Sequence, residues 1–231
     1  MIPKKIHYCW FGGKTLPADA EACIKSWAEK CPDYELIRWD EQNVSLEDSL
    51  YARQAYEAEK WAFVSDYVRL KALWEQGGIY MDTDVEVLRD ISPLLIDEGF
   101  LGFENEQFVN SGQVMAAVPH QPVVQAMIEE YKKLHFTNAD GSLNAVGCPH
   151  LNTDVMERFG LVRNGREQMV AGIHVYPADY FNPLDSVTGK LTKTENTYSI
   201  HWYSMSWLPK HKQIKAKFGR LWRRITKKVK S

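Results

Sequence analysis

The stretch Gly77-Gly78-Ile79-Tyr80-Met81-Asp82-Thr83-Asp84 constrains this chain more than any other. Upstream of it, Lys60 to Gln76 places Trp61, Val64, Val68, Leu70, Leu73 and Trp74 near the helical period of about 3.6 residues. Two glycines then end the helix, three apolar residues read as a short buried strand, and that strand runs into two carboxylates. Side chains alternate along a strand, so the spacing predicts Asp82 and Asp84 on one side of it. Two oxygen ligands at the carboxyl end of a strand suit a hard cation such as Mg²⁺ or Mn²⁺, which fills its shell with carboxylate, water and phosphate oxygens. Asp-x-Asp triplets also serve turns and helix caps, so the triplet alone does not decide. Asp66 and Arg69 lie three apart on one helix face. They read either as an ordinary intrahelical ion pair or as a pair that presents a carboxylate and a guanidinium to a sugar hydroxyl and a phosphate.

The remaining pattern is strand-helix-strand, which predicts a parallel sheet. Ile2 to Trp10 reads as a first strand, with Ile6, Tyr8 and Trp10 on one face and His7 and Cys9 on the other, closed by Gly12-Gly13. Pro17 to Lys30 reads as a helix with Ala20, Ile24, Trp27 and Ala28 inward, and Tyr34 to Trp39 as a second strand. Residues 40–58 are polar and broken, a loop with one or two short helices. Past Asp84, strands are expected at Val85–Leu88, Gly99–Glu104, Gly112–Val118, Gly172–Tyr176 and Tyr198–Trp202. A helix at Gln121–Leu134 turns Val124, Met127, Ile128 and Tyr131 inward, and another follows Asp154 to Phe159. The Rossmann G-x-G-x-x-G fingerprint is absent, so nothing points to a dinucleotide.

The run Ser65-Asp66-Tyr67-Val68-Arg69, followed at this distance by Gly77-Gly78-Ile79-Tyr80-Met81-Asp82-Thr83-Asp84, resembles the core of the DXD sugar-nucleotide glycosyltransferases of family 32. That family includes bacterial capsule and lipooligosaccharide transferases and yeast mannosyltransferases, with the clostridial glucosylating toxins as relatives. Ile2-Pro3-Lys4 to Gly13 and Trp39-Asp40-Glu41-Gln42-Asn43 are similar to further segments of it, and His201 to Trp207 is similar to its H-x-x-x-x-S-W close.

The resemblance implies a GT-A fold, an α/β sandwich on a mostly parallel sheet. It implies a divalent metal, Mn²⁺ or Mg²⁺, held by Asp84 and Asp82 and completed by His201, with Asp66, Arg69, Asp82 and Asp84 as the catalytic set. Trp10 would stack on the nucleotide base, although a strand tryptophan is also ordinary core packing. Tyr80 and Asn110 are further candidate donor contacts, Asn110 reading equally as a turn residue, and Ser206 and Trp207 would cover the diphosphate. The implied partners are a nucleotide-sugar donor, with UDP favoured, and a glycan or lipid-linked acceptor. Retention of configuration follows from the same resemblance, and a role in capsular or surface polysaccharide synthesis is expected because a soluble body with a basic amphipathic tail suits a lipid-linked acceptor. The rival reading is an inactive transferase-like module that binds membrane or polyanion through its tail.

That tail differs from everything before it. Of the 28 basic residues ten fall within residues 210–231, together with none of the 30 acidic ones, so residues 1–209 carry −12 and the tail +10. Ile214, Phe218, Leu221, Trp222, Ile225 and Val229 recur at helical intervals. A basic amphipathic helix of this kind reads as a membrane-surface anchor, attracted to an anionic leaflet by about 1 kcal/mol per Lys or Arg. Nucleic acid, or docking on the acidic body, are the alternatives, and the first would leave the Asp82/Asp84 core without a purpose. The expected division is a catalytic domain over 1–208 and the basic helix over 209–231. The four cysteines lack metal-type spacing, and the N-terminus lacks a signal-type apolar run, so the expected location is cytoplasmic, peripheral on the inner face of the membrane.

Overall fold

The computed structural model describes residues 1–204. Ser206, Trp207 and the basic stretch 209–231 lie outside the described residues. Nine strands and six helices follow in the order β1 (Lys5–Cys9), α1 (Ala18–Lys30), β2 (Glu35–Trp39), α2 (Leu50–Glu57), α3 (Trp61–Gln76), β3 (Gly78–Tyr80), β4 (Val85–Val87), β5 (Gly99–Gly102), β6 (Met115–Ala117), α4 (Pro122–Lys133), α5 (Cys148–Arg158), β7 (Gln168–Val170), β8 (Ile173–Tyr176), α6 (Ala178–Phe181) and β9 (Ser199–His201) among the described residues.

Seven strands form one sheet in the order β2-β1-β3-β6-β5-β8-β7. The pairs β1/β2, β1/β3 and β5/β8 are parallel, while β6 and β7 run against their neighbours. The sheet is therefore mostly parallel in strand direction, as the alternation of strands and helices predicts. Its two faces are covered by different helices. Ile6 and Ile79 face a layer with Trp27 of α1 and Val85 and Val87 of β4. Cys9 and Tyr80 face a layer built by α2, α3 and α4, with Val64, Val68, Leu73, Met127 and Tyr131 at its centre.

Helix α3 is buried almost all round, including Ser65, Asp66 and Arg69. It stops where Gly77 and Gly78 take φ of +62° and +105°, values that any residue with a Cβ adopts only under strain. A Cβ on Gly77 would also meet the Pro119 and Pro3 rings at 2.6 and 2.9 Å. His7 then locks the start of β3 in place. Its Nε2 bonds the Gly77 carbonyl at 2.8 Å, and its Nδ1 accepts the Trp39 indole N–H at 3.1 Å.

Several expectations change in the folded chain. Asp82 and Asp84 are not on a strand. β3 ends at Tyr80, and the two residues occupy the turn before β4. β4 does not prolong β3 but leaves the main sheet to pair antiparallel with β9, Val85 opposite His201. On α1 the buried residues are Ala20, Cys23 and Trp27, while Ala28 is exposed because the helix rotates Cys23 rather than Ala28 toward β4. The helix expected after Asp154 begins earlier, at Cys148 with Pro149 in its first turn. β7 and α6 are additions, each too short to carry a readable period. All four cysteines are free and buried.

Candidate active site

The turn at Asp82–Asp84 draws in groups from five parts of the chain. From α3, the Arg69 guanidinium donates through Nη2 to Asp82 Oδ1 at 3.0 Å, and its Nη1 lies 2.9 Å from Asp66 Oδ1. From the segment between β5 and β6, Ser111 Oγ accepts from Arg69 Nη1 at 3.2 Å, and from the start of α5 the Cys148 sulfur lies 3.1 Å from the same nitrogen. From β9, His201 Nε2 stands 3.3 Å from Asp84 Oδ1, and the Ser204 N–H donates to Asp84 Oδ2 at 2.8 Å. From β3, the Tyr80 hydroxyl donates to Asp82 Oδ1 at 2.9 Å.

Asp66 and Arg69 form the expected intrahelical ion pair, and the same guanidinium reaches Asp82, so α3 and the Asp82–Asp84 turn are one charge network. Burial opposes the charge on Arg69, but Asp82 and Asp66 outweigh it and its pKa is raised well above the ordinary value. Burial likewise pushes the Asp66 carboxyl up to about 6, against the pull of Arg69. Asp82 is raised by burial, opposed by Arg69, with the neighbouring Asp84 charge pushing it further up. Asp84 goes the other way. Burial would raise it, yet His201 and the Ser204 hydrogen bond hold it well below the usual carboxylate range. His201 is the counterpart, disfavoured as a cation by burial but raised overall by Asp84.

One glycine makes the arrangement possible. The Gly112 carbonyl accepts the Asp82 N–H at 2.8 Å, and Asn110 Oδ1 accepts the Gly112 N–H at 2.7 Å. A Cβ on Gly112 would collide with Asp82 Oδ2 and stand 3.0 Å from Arg69 Nη1. Its missing side chain is the space the carboxylate occupies.

Asp82, Asp84 and His201 offer ligand atoms that all lie within 4.8 Å of one another. Opposite ligands of a Mg²⁺-sized ion are separated by roughly 4.2 Å, so this spread needs only small side-chain adjustment. The charge also fits. Three carboxylates face one permanent cation, so with His201 neutral the cluster keeps two negative charges for a divalent ion to balance. His201 Nδ1 is buried with no partner among the described residues, a polar atom left to be satisfied. The residues present suit a divalent cation that accepts imidazole beside carboxylate.

A cavity of about 440 Å³ opens onto this cluster, lined by Trp10, Lys14 and Trp61 together with Asp66, Arg69, Asn110 and Cys148. Trp10 is half-buried and lines the cavity instead of joining the core, and its indole N–H is fixed on the Lys14 carbonyl at 2.6 Å. Asn110 lines it too, acting as the turn residue that holds Gly112 while its Nδ2 donates to Glu104 at 2.8 Å. Tyr80, expected as a donor contact, is 1% exposed and is not part of the cavity wall. It serves through Asp82 and under the Arg69 guanidinium, 4.9 Å from its ring centre. Ser111, Gly112, Cys148, Tyr203 and Ser204 are site residues that the sequence pattern does not single out. For Ser111 and Gly112 the Asn-Ser-Gly turn is a usable signal. Cys148 and Ser204 carry none.

Residues 17–101 match the family model described as a glycosyltransferase sugar-binding region containing a DXD motif. The chain is 34% identical over 80 residues to human alpha-1,4-N-acetylglucosaminyltransferase, covering 34% of this chain and 22% of that protein. It is 32% identical over 98 residues to inositol phosphoceramide mannosyltransferase 3 of Schizosaccharomyces pombe, covering 41% of this chain and 27% of that one. The chain thus spans only about a quarter of the length of these curated relatives. Among solved structures, the PaToxG glycosyltransferase superposes with a TM-score of 0.53 at 20% identity, covering 68% of each chain. At that identity the likeness speaks for the fold. Residues 17–101 are thus similar to the DXD-containing sugar-binding region of glycosyltransferases, and the scaffold is the GT-A fold.

Proposed function

We propose that the protein transfers a hexosyl or N-acetylhexosaminyl group from a nucleoside-diphosphate sugar, UDP-linked by preference, to a glycan or lipid-linked acceptor. The observation that carries this reading is the convergence of Asp82, Asp84 and His201 with Arg69 and Asp66 around one cavity. In the transfer, the bond between the anomeric carbon and the diphosphate oxygen breaks, and its electron pair stays with the diphosphate. A new bond forms from an acceptor oxygen, whose proton leaves with the nucleotide product or to water.

A divalent cation held by Asp84, Asp82 and His201 would supply charge stabilisation for the departing diphosphate. The chain's own residues do the rest. Trp10, with its indole N–H fixed, presents a ring to the base. Arg69, clamped by two carboxylates, holds Asp82 at a fixed angle and adds positive potential on the phosphate side. Asp66, half protonated near pH 6, exchanges hydrogen bonds with sugar hydroxyls in either state. Retention of configuration is part of the proposal. Among the described residues no side chain identifies itself as a covalent nucleophile.

The charge asymmetry of the sequence supports a location on the inner face of an anionic membrane, with residues 210–231 as the contact and surface-polysaccharide assembly as the setting. Calorimetry with UDP, GDP and CDP, with and without Mn²⁺, tests the core of the reading. Selective, metal-dependent binding of one diphosphate, lost in Asp84→Ala, is expected. Folded protein that binds none of the three would overturn it.

A further inference from the structure

A second cavity, of about 510 Å³, has Asp84 but not Arg69 in its wall. It is formed where the first turns of α1 face β4 and the residues after β9. Trp10, Thr83, Asp84 and Ser204 line both cavities, so the two meet at the Asp82–Asp84 turn. Their chemistry differs. The first sets Lys14 and Arg69 beside its three acids, Asp66, Asp82 and Asp84. The second also has three acids, Asp19, Asp84 and Glu86, but no cationic side chain among its described lining residues to offset them, and it carries two indoles, Trp10 and Trp202.

Trp202 is the informative residue. It is 41% exposed, an unusual state for so large an apolar ring, and it is nevertheless held still. Its indole N–H donates to Glu86 Oε2 at 3.0 Å, and its backbone N–H donates to the Asp84 carbonyl at 2.9 Å. A ring fixed at both ends and left open on a cavity wall is a stacking platform, not a core residue. The partner that fits is neutral, because three carboxylates without a cationic side chain among the described lining residues repel a phosphate. It is also rich in hydroxyls, because carboxylates accept O–H bonds while indole faces cover the C–H faces of a pyranose.

We infer that this cavity is a glycan subsite, which binds the neutral sugar acceptor next to the donor cavity with Trp202 as its platform. The inference rests on the transferase reading only for the word acceptor; the binding of a neutral pyranoside stands by itself. It divides the two substrates by charge, the anionic donor to the side with Lys14 and Arg69, the uncharged acceptor to the acidic side.

The test is saturation-transfer NMR of the intact chain with methyl α-mannoside, methyl β-galactoside and methyl β-N-acetylglucosaminide, paired with UDP calorimetry in Mn²⁺. At least one glycoside should receive saturation from the wild type, and the signal should fall at least tenfold in Trp202→Ala. Ala22→Arg, made at an exposed position of α1 on the cavity rim, should abolish it equally without touching packed residues. Absence of any glycoside signal, or its survival in both variants, overturns the subsite whatever UDP does. Glycoside binding with the expected losses, but no UDP binding in the wild type, would instead confirm the subsite and overturn the donor reading.

Discussion

Lowering the pH from 7 to 5 should weaken this fold through a single buried imidazole. His7 has no exposed surface, and its neutral form is specified by its partners: Nδ1 accepts the Trp39 N–H, while Nε2 carries the proton given to the Gly77 carbonyl. Burial is the main cause that lowers its pKa, to about 4 from an ordinary 6.5. A depressed histidine pKa means that the unfolded chain binds the proton more tightly. The stability contribution is therefore full above the unfolded value and is lost as pH falls through the window between 6.5 and about 4. Over the whole window the linkage is worth about 3 kcal/mol, and between pH 7 and 5 about 2 kcal/mol. Urea unfolding followed by tryptophan fluorescence at both pH values, on the wild type and on His7→Gln, isolates this group from the other titrating residues. The wild type should lose about 2 kcal/mol more than the variant. Equal losses would refute the reasoning. The consequence reaches the site, because His7 ties β1 to the residue from which β3 runs toward Asp82.

Three further outcomes follow from the charge cluster. Gly112→Ala should destabilise by about 1–3 kcal/mol through overpacking against Asp82 and Arg69, and should abolish metal-dependent nucleotide binding while far-ultraviolet circular dichroism stays native. Arg69→Met should cost about 3–5 kcal/mol, since it leaves buried Asp66 and half-buried Asp82 without their cation, and transfer should fall below detection; wild-type activity would remove Arg69 from the mechanism. Metal affinity should rise with pH, because Mn²⁺ needs neutral His201 and Asp84 holds that imidazole protonated above its ordinary pKa. Isothermal titration should show about one proton released per ion below that raised value, and His201→Gln should flatten the slope.

The strongest local signals are legible in the sequence because they are set by neighbours a few residues away. The period of α3 and its double-glycine stop, the alternation of β1, and the inward face of α4 with Val124, Met127, Ile128 and Tyr131 are all properties of short windows. So is the pairing of Asp66 with Arg69, one helical turn apart. The candidate site residues on that stretch, and the resemblance they carry, are therefore readable from the order of amino acids alone.

Other features arise from pairing across the chain, which no window contains. Alternation would put Asp82 and Asp84 on one side of a strand, yet β3 ends at Tyr80, and the convergence comes from a turn that feeds a different sheet. His201 meets Asp84 only because β9 lies antiparallel to β4, in a register that sets it opposite Val85. Tyr80 reads as a donor contact but turns inward to hold Asp82, since its ring fills the space beneath Arg69. The sequence by itself determined the principal helices and strands and marked the candidate site carboxylates, because helix period and strand alternation are local. The tertiary structure alone decided the ligand set, the space left by Gly112 and the two cavities that meet at Asp84, because each depends on which distant segments share a sheet edge.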